Sequence, residues 1–242
     1  MVTLTTVTDS ANRADPASRS DRGEQTRTAI AAAAQELFLE RGYDKTTMRA
    51  VADRAGVSIG NAYYYFASKE HLVQAFYDQI QVAHAAAAEQ SLASSDKFGD
   101  RLRGVLTTWV DVAESFHGFA GKFFKIAAEP TSPLSPFSSE SRGAREASID
   151  LFRKVVDGSD LKVPAAIRAE LPELLWLLQM GVVLFWVHDT STDQAKTRAL
   201  VDRVVPLVDK LARMTRLPVV RGVVNDLVDL VVALRAGDPD AG

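Results

Sequence analysis

"AGVSIGNAYYYFASKE", residues 55–70, decides how this chain is read. Three tyrosines and a phenylalanine stand together, bounded by glycines, serines and a lysine. A run of this kind can be core, an aggregation-prone strand, or a surface that meets a partner. Its surroundings choose among them. Upstream, Met48, Val51, Ala52 and Ala55 repeat at helical spacing, with Thr46 or Thr47 placed to cap the first turn. Gly56 ends that short helix, and Ser58 caps the next. Two short helices joined by a tight glycine turn are the pattern of a helix-turn-helix.

Projected at 100° per residue, the tyrosine run is not one surface. Ala62 and Phe66 share the packed face, with Ile59 at its margin. Gly60, Asn61 and Tyr64 point away from it, and Tyr63 and Tyr65 take the flanks. The outer face offers a glycine that permits close approach, an amide that can pair with base edges, and an amphipathic ring. Those are the requirements of a helix entering a DNA major groove. Flanking hydroxyls, Ser58 and the Lys69 ammonium are suited to phosphates.

Residues 43–76, "YDKTTMRAVADRAGVSIGNAYYYFASKEHLVQAF", resemble the DNA-binding domain of the TetR family of bacterial transcriptional regulators. Thr46-Thr47, Ala55-Gly56-Val57-Ser58, Tyr63-Tyr64-Tyr65-Phe66 and Ser68-Lys69-Glu70 with Leu72 carry the resemblance. Ala62 departs from it, since the family more often has a larger apolar residue there. The resemblance implies a homodimer on double-stranded DNA with inverted-repeat symmetry, released by a small hydrophobic ligand. By position it implies phosphate contacts from Thr47, Arg49, Ser58, Tyr63 and Lys69, and base contacts from Ile59, Gly60, Asn61 and Tyr64. One feature opposes a purely electrostatic attraction. Residues 24–78 hold six Lys/Arg and seven Asp/Glu, so the segment is not basic overall.

Around this motif the chain reads as all-α. Ile30, Ala33, Leu37 and Phe38 mark a helix stopped by Gly42. Later helices are expected near 68–93, 98–116, 118–128, 138–157, 164–188, 193–215 and 218–236. Prolines 130, 133 and 136 break the pattern once. Three segments are expected: a disordered tail over 1–23, a helix-turn-helix domain over 24–70, and a helical ligand-binding and dimerisation domain over 71–242. The tail is polar and aperiodic.

Composition bounds the function classes. Of 242 residues, 47% are apolar and 24% charged, enough for a packed core. The absence of cysteine excludes disulfides and thiolate chemistry. Leu174–Val187 is the longest apolar patch, interrupted by Gln179 and shorter than a bilayer span of about 20 residues. A soluble, cytoplasmic protein with no membrane partner is the expectation. Histidines 71, 84, 117 and 188 are scattered, and neither a phosphate loop nor a nucleophile elbow is present. No enzyme, cofactor or metal is expected. Aromatic residues concentrate over 109–186, as core or as the wall of a ligand cavity. Trp109, Phe123, Phe152 and Trp176 are the candidates for that wall, with His117 or His188 as polar anchors. Apolar stripes on 164–188 and 193–215 fit a four-helix dimer interface. A helical adaptor using the tyrosine face to bind a protein remains the alternative.

Overall fold

The computed structural model describes residues 16–129, 132, 135–215 and 222. Among them every regular element is helical: α1 (Pro16–Arg41), α2 (Met48–Ala55), α3 (Ile59–Tyr65), α4 (Lys69–Ser94), α5 (Phe98–Ala113), α6 (His117–Ala127), α7 (Arg142–Asp157), α8 (Ala165–Val187) and α9 (Ala195–Met214). Short 3₁₀ turns sit at Glu114–Phe116 and Thr192–Gln194. The expected helix over 218–236 lies outside the described residues.

α1 begins at Pro16, inside the stretch expected to be a disordered tail. Proline fits the first helical position because its missing N–H has no intrahelical acceptor there. Tertiary contacts replace the absent apolar period. A β-carbon on Gly23 would lie 3.5 Å from the Tyr65 hydroxyl. The Arg27 guanidinium stands 5.3 Å from the centre of the Phe66 ring.

Two apolar clusters organise the chain. One joins α1, α2, α3 and the start of α4 through Ile30, Leu37, Phe38, Val51, Ala62, Phe66, Leu72 and Val73. The other is built around α5, whose Phe98, Leu102, Val105 and Leu106 are fully buried against α4, α7, α8 and α9. α4 contributes to both, burying Leu72 and Val73 at one end and Ala88 and Leu92 at the other.

The larger cluster contains a charge. Arg101 occupies the apolar stripe of α5 and is buried, with no carboxylate within ion-pair distance among the described residues. Its guanidinium donates to the carbonyls of Leu92, Ser95 (3.0 Å), Lys154 (2.7 Å) and Val155 (3.2 Å). These carbonyls end α4 and α7, whose last turns lack intrahelical donors and carry partial negative charge. One cation thereby closes two helix C-termini. Gly158 completes the nest: a β-carbon there would fall 2.3 Å from Arg101 Nη2.

α8 as a whole is long and apolar enough to cross a membrane, with a mean hydropathy of 1.4, which the shorter patch considered above understated. Its pattern is that of a core helix with one open side. Leu171, Leu175, Trp176, Gln179, Val182 and Trp186 are buried, while Leu177, Leu184 and Phe185 are exposed. After it, Asp189 anchors the entry to α9. Its carboxylate accepts from the amides and hydroxyls of Ser191 and Thr197, at 2.6 to 2.9 Å. Burial acts to raise its pKa, but these four hydrogen bonds prevail and hold it well below the ordinary carboxylate range.

Both anchors can be checked by unfolding. Arg101→Met should cost about 3 kcal/mol in urea unfolding, because the buried and part-buried helix-end carbonyls lose this donor. For Asp189 the folded-state pKa lies below the unfolded one. Its contribution is present above the unfolded value of roughly 4 and lost as pH falls below it. The stability difference between wild type and Asp189→Asn should therefore be largest at neutral pH and shrink through the acid range. An unchanged difference below pH 3 would contradict the assignment.

Candidate nucleic-acid interface and ligand cavity

The helix-turn-helix is assembled by local bonds. Gly42 adopts φ +83°, and its N–H reaches Phe38 O at 3.0 Å, closing α1. The buried Thr46 hydroxyl donates to the Gly42 and Leu37 carbonyls, fixing the loop. Thr47 rather than Thr46 is the cap of α2, its hydroxyl accepting from Ala50 N at 3.2 Å. At the turn Gly56 takes φ +69°, and Val57 N–H bonds Ala52 O at 3.0 Å. Ser58 Oγ accepts from Asn61 N at 3.1 Å and opens α3. Ala52 and Ala62, both fully buried, let α2 and α3 cross closely.

This frame presents one face of α3 to solvent. Tyr64 is 80% exposed, Tyr63 50% and Ile59 38%. Asn61 is exposed, and nothing lies within 4 Å of where a Gly60 side chain would begin. Phe66 and Ala62 are buried beneath. Tyr65 is half-buried and meets Tyr64 edge to face at 5.1 Å. Thr47, Arg49 and Ser58 are exposed beside this face, at or near the starts of α2 and α3.

Lys69 is placed differently from its expected phosphate role. Its ammonium donates to the Tyr43 carbonyl at 2.8 Å and lies 3.8 Å from the centre of the Tyr43 ring. The Tyr43 hydroxyl in turn donates to Glu70 at 2.6 Å, and desolvation followed by that carboxylate pushes its pKa up. The loop before α2 is thus stitched to the first turn of α4. Arg54 is also occupied, paired with Glu36 and Glu40. Lys45 and Arg49 are the exposed cations left near α2.

The second feature is a cavity of about 500 Å³ among α4, α5, α6, α7, α8 and residues 135–141. Trp109 and Trp176 line it as expected. Phe152 does not; it is fully buried in the α5-centred cluster. Helical periodicity marks Phe152 as inward-facing but does not separate solid core from a cavity wall. The Phe123 side chain lies outside the described residues. Neither histidine lines the cavity. His117 Nε2 donates to Trp186 O at 2.7 Å, and His188 Nδ1 donates to Leu184 O at 2.9 Å. Polar groups come instead from Gln81, Gln179 and Arg145, which sequence reading missed. Phe76 and Tyr77 of α4 also line it, although their spacing from Leu72 and Val73 already put them on one helix face.

Comparison with known proteins follows this division. Residues 30–76 match the family model "Bacterial regulatory proteins, tetR family", and residues 101–234 match "Tetracyclin repressor-like, C-terminal domain". The chain is similar to the HTH-type transcriptional regulator TtgR of Pseudomonas putida, 37% identical over 71 residues, which is 29% of this chain and 34% of that protein. That match spans only about a third of the relative's length. Among solved structures, a putative TetR-family regulator from Syntrophomonas wolfei aligns over 77% of this chain and 95% of its own, at TM-score 0.61 and 14% identity. A TetR regulator from Nitrosomonas europaea aligns over 76% and 97%, at TM-score 0.57 and 17% identity. At those identities the structures speak for the fold alone. The family match covers both the helix-turn-helix and more than half of the chain beyond it, and the non-enzymatic reading of the sequence agrees with it. The chain belongs to the TetR family of bacterial transcriptional regulators.

Proposed function

We propose that this protein is a cytoplasmic repressor that binds an inverted-repeat operator as a homodimer and is released by a small hydrophobic ligand. Two segments divide the work: a helix-turn-helix domain that includes α1 and runs to residue 70, and a ligand-binding and dimerisation domain beyond it. The outward face of α3 carries the reading. Solvent-exposed tyrosines on a rigidly capped helix cost solubility, and a major groove gives them partners. Ile59, Gly60, Asn61 and Tyr64 would meet bases. Thr47, Arg49, Ser58 and Tyr63 would hold phosphates, and Lys69 would do so only after leaving Tyr43.

Pairing is supported by apolar side chains left uncovered. Leu177, Leu184 and Phe185 on α8 and Leu207 and Leu211 on α9 are all more than a third exposed. A second copy would cover both helices through a two-fold interface and set two α3 helices about one DNA turn apart, roughly 34 Å. Release is supported by shared residues. Phe76, Tyr77 and Ala127 line the cavity and also pack against the cluster beneath α3. A ligand that favours a different packing of these side chains tilts the helix-turn-helix and loses DNA by that difference in affinity.

Binding to DNA upstream of the protein's own gene is the direct test. Asn61→Ala with Tyr64→Ala should weaken it about 10-fold or more, at unchanged thermal stability. Equal affinity would remove α3 as the reading helix. Sedimentation should give a dimer at micromolar concentration. Leu184→Glu with Leu207→Glu should give a folded monomer that has lost operator binding; a wild-type monomer would overturn the pairing.

A further inference from the structure

Among the described residues the cavity wall holds one formal charge, and it is positive. Arg145 of α7 lines the cavity, half-buried, and no Asp or Glu side chain lines it among the described residues. The rest of the wall is dominated by aromatic and aliphatic side chains such as Phe76, Phe116, Trp176 and Val183. The Arg145 guanidinium has no carboxylate within ion-pair distance among the described residues. Its Nη1 donates to Pro136 O at 2.9 Å and Ser138 O at 3.3 Å. Nε and Nη2 make no hydrogen bond to the described protein groups. Carbonyls do not neutralise a cation, so a charge beside an apolar cavity is left without its counter-ion. Two further donors in the wall, Gln81 Nε2 and Trp186 Nε1, are buried and unpaired, against one acceptor, Gln179 Oε1. The unpaired groups are therefore weighted toward donors.

We propose that the ligand of this cavity is an apolar monocarboxylate whose head group pairs with the free edge of Arg145. The proposal rests on the cavity being the ligand site and adds the chemistry of what fills it. Guanidinium and carboxylate form a two-bond, charge-assisted pair, and a low-dielectric wall strengthens it. A cation meets the same guanidinium as a like charge. A neutral molecule fills the apolar volume but leaves Arg145 unpaired. A volume of about 500 Å³ lies within the roughly 300–1,000 Å³ of small-molecule sites.

Arg145 also connects the head group to the rest of the fold. The residues whose carbonyls it holds lie just before Glu140 and Ser141. Gln74 of α4 donates to Glu140 O at 3.0 Å and to Ser141 Oγ at 3.3 Å. A carboxylate drawing Arg145 inward pulls on the 136–141 turn, and that turn is bonded to α4 four residues after Glu70.

All three tryptophans of the chain, Trp109, Trp176 and Trp186, line the cavity, so tryptophan emission reports its occupancy. The full-length protein is titrated at pH 8 and constant ionic strength with decanoate, 1-decanol and decylammonium, each below its micelle concentration. Decanoate should bind at least about 10-fold more tightly than 1-decanol, as expected for a hydrogen bond to a charged group. Decylammonium should bind more weakly than both. In Arg145→Met the preference for the acid should vanish while 1-decanol affinity changes less than about two-fold. Equal affinity of decanoate and 1-decanol in the wild type overturns the proposal, as does a preference that survives Arg145→Met. If that variant does not fold, the wild-type ranking decides alone. A 1-decanol that binds and releases DNA as well as decanoate does would spare the cavity as ligand site and sink only its charge preference. No change in emission with any of the three would sink both.

Discussion

α4 has to satisfy two cores at once. Its first turns bury Leu72 and Val73 under the helix-turn-helix, and its later turns bury His84, Ala88 and Leu92 against α5. Between these ends Phe76, Tyr77, Ile80 and Gln81 border an open cavity. A rigid helix carries a displacement from one end to the other because its backbone bonds do not stretch independently. The packing of this middle section is therefore a place where filling a void reaches both clusters. His84 fixes the far end. Its ring is fully buried, Nε2 donates to Val105 O at 2.9 Å, and desolvation lowers its pKa. The near end is fixed by the Lys69–Tyr43–Glu70 chain of contacts.

The helix-turn-helix was legible from residue types because its determinants are local. A left-handed glycine, a threonine or serine oxygen over an exposed amide and a small residue at a crossing each act within a few positions in sequence. Thr46 and Thr47 show the resolution limit of such reading. Both fit a cap, and only the fold shows that Thr46 turns inward to Leu37 and Gly42 while Thr47 caps α2. The cavity was harder to read. Its wall combines side chains from five helices, and whether an inward aromatic meets another side chain or a void is a property of their assembly. Trp176 and Phe152 both belong to the α5-centred core, yet Trp176 also borders the cavity and Phe152 does not. Arg101 carried an unused signal. It sits with Phe98, Leu102 and Val105 on one face of α5, where a charge demands an internal partner. The partners it finds are helix-end carbonyls, which no side-chain pattern announces.

The charge distribution limits how this protein finds DNA. The helix-turn-helix segment is not basic, and the structure lowers its usable positive charge further. Arg54 is neutralised by two glutamates on α1, and Lys69 is held by a carbonyl and a ring. Exposed pairs such as Arg54 with Glu40 add little stability, so their main effect near α2 is on the field. Few phosphate neutralisations mean a shallow salt dependence per subunit and weak attachment to arbitrary sequence. Affinity would then have to come from contacts made on close approach, and the exposed groups of α3, proposed as the reading surface, are of that kind: an open glycine, an amide and two tyrosine rings. Such contacts reward a matching groove and offer little elsewhere. In the proposed homodimer, two copies held in register would double them without adding non-specific attraction. Under the proposed mechanism the same economy would make the bound state easy to leave, because a change in α4 that misaligned one α3 helix would remove short-range contacts that no long-range field replaces.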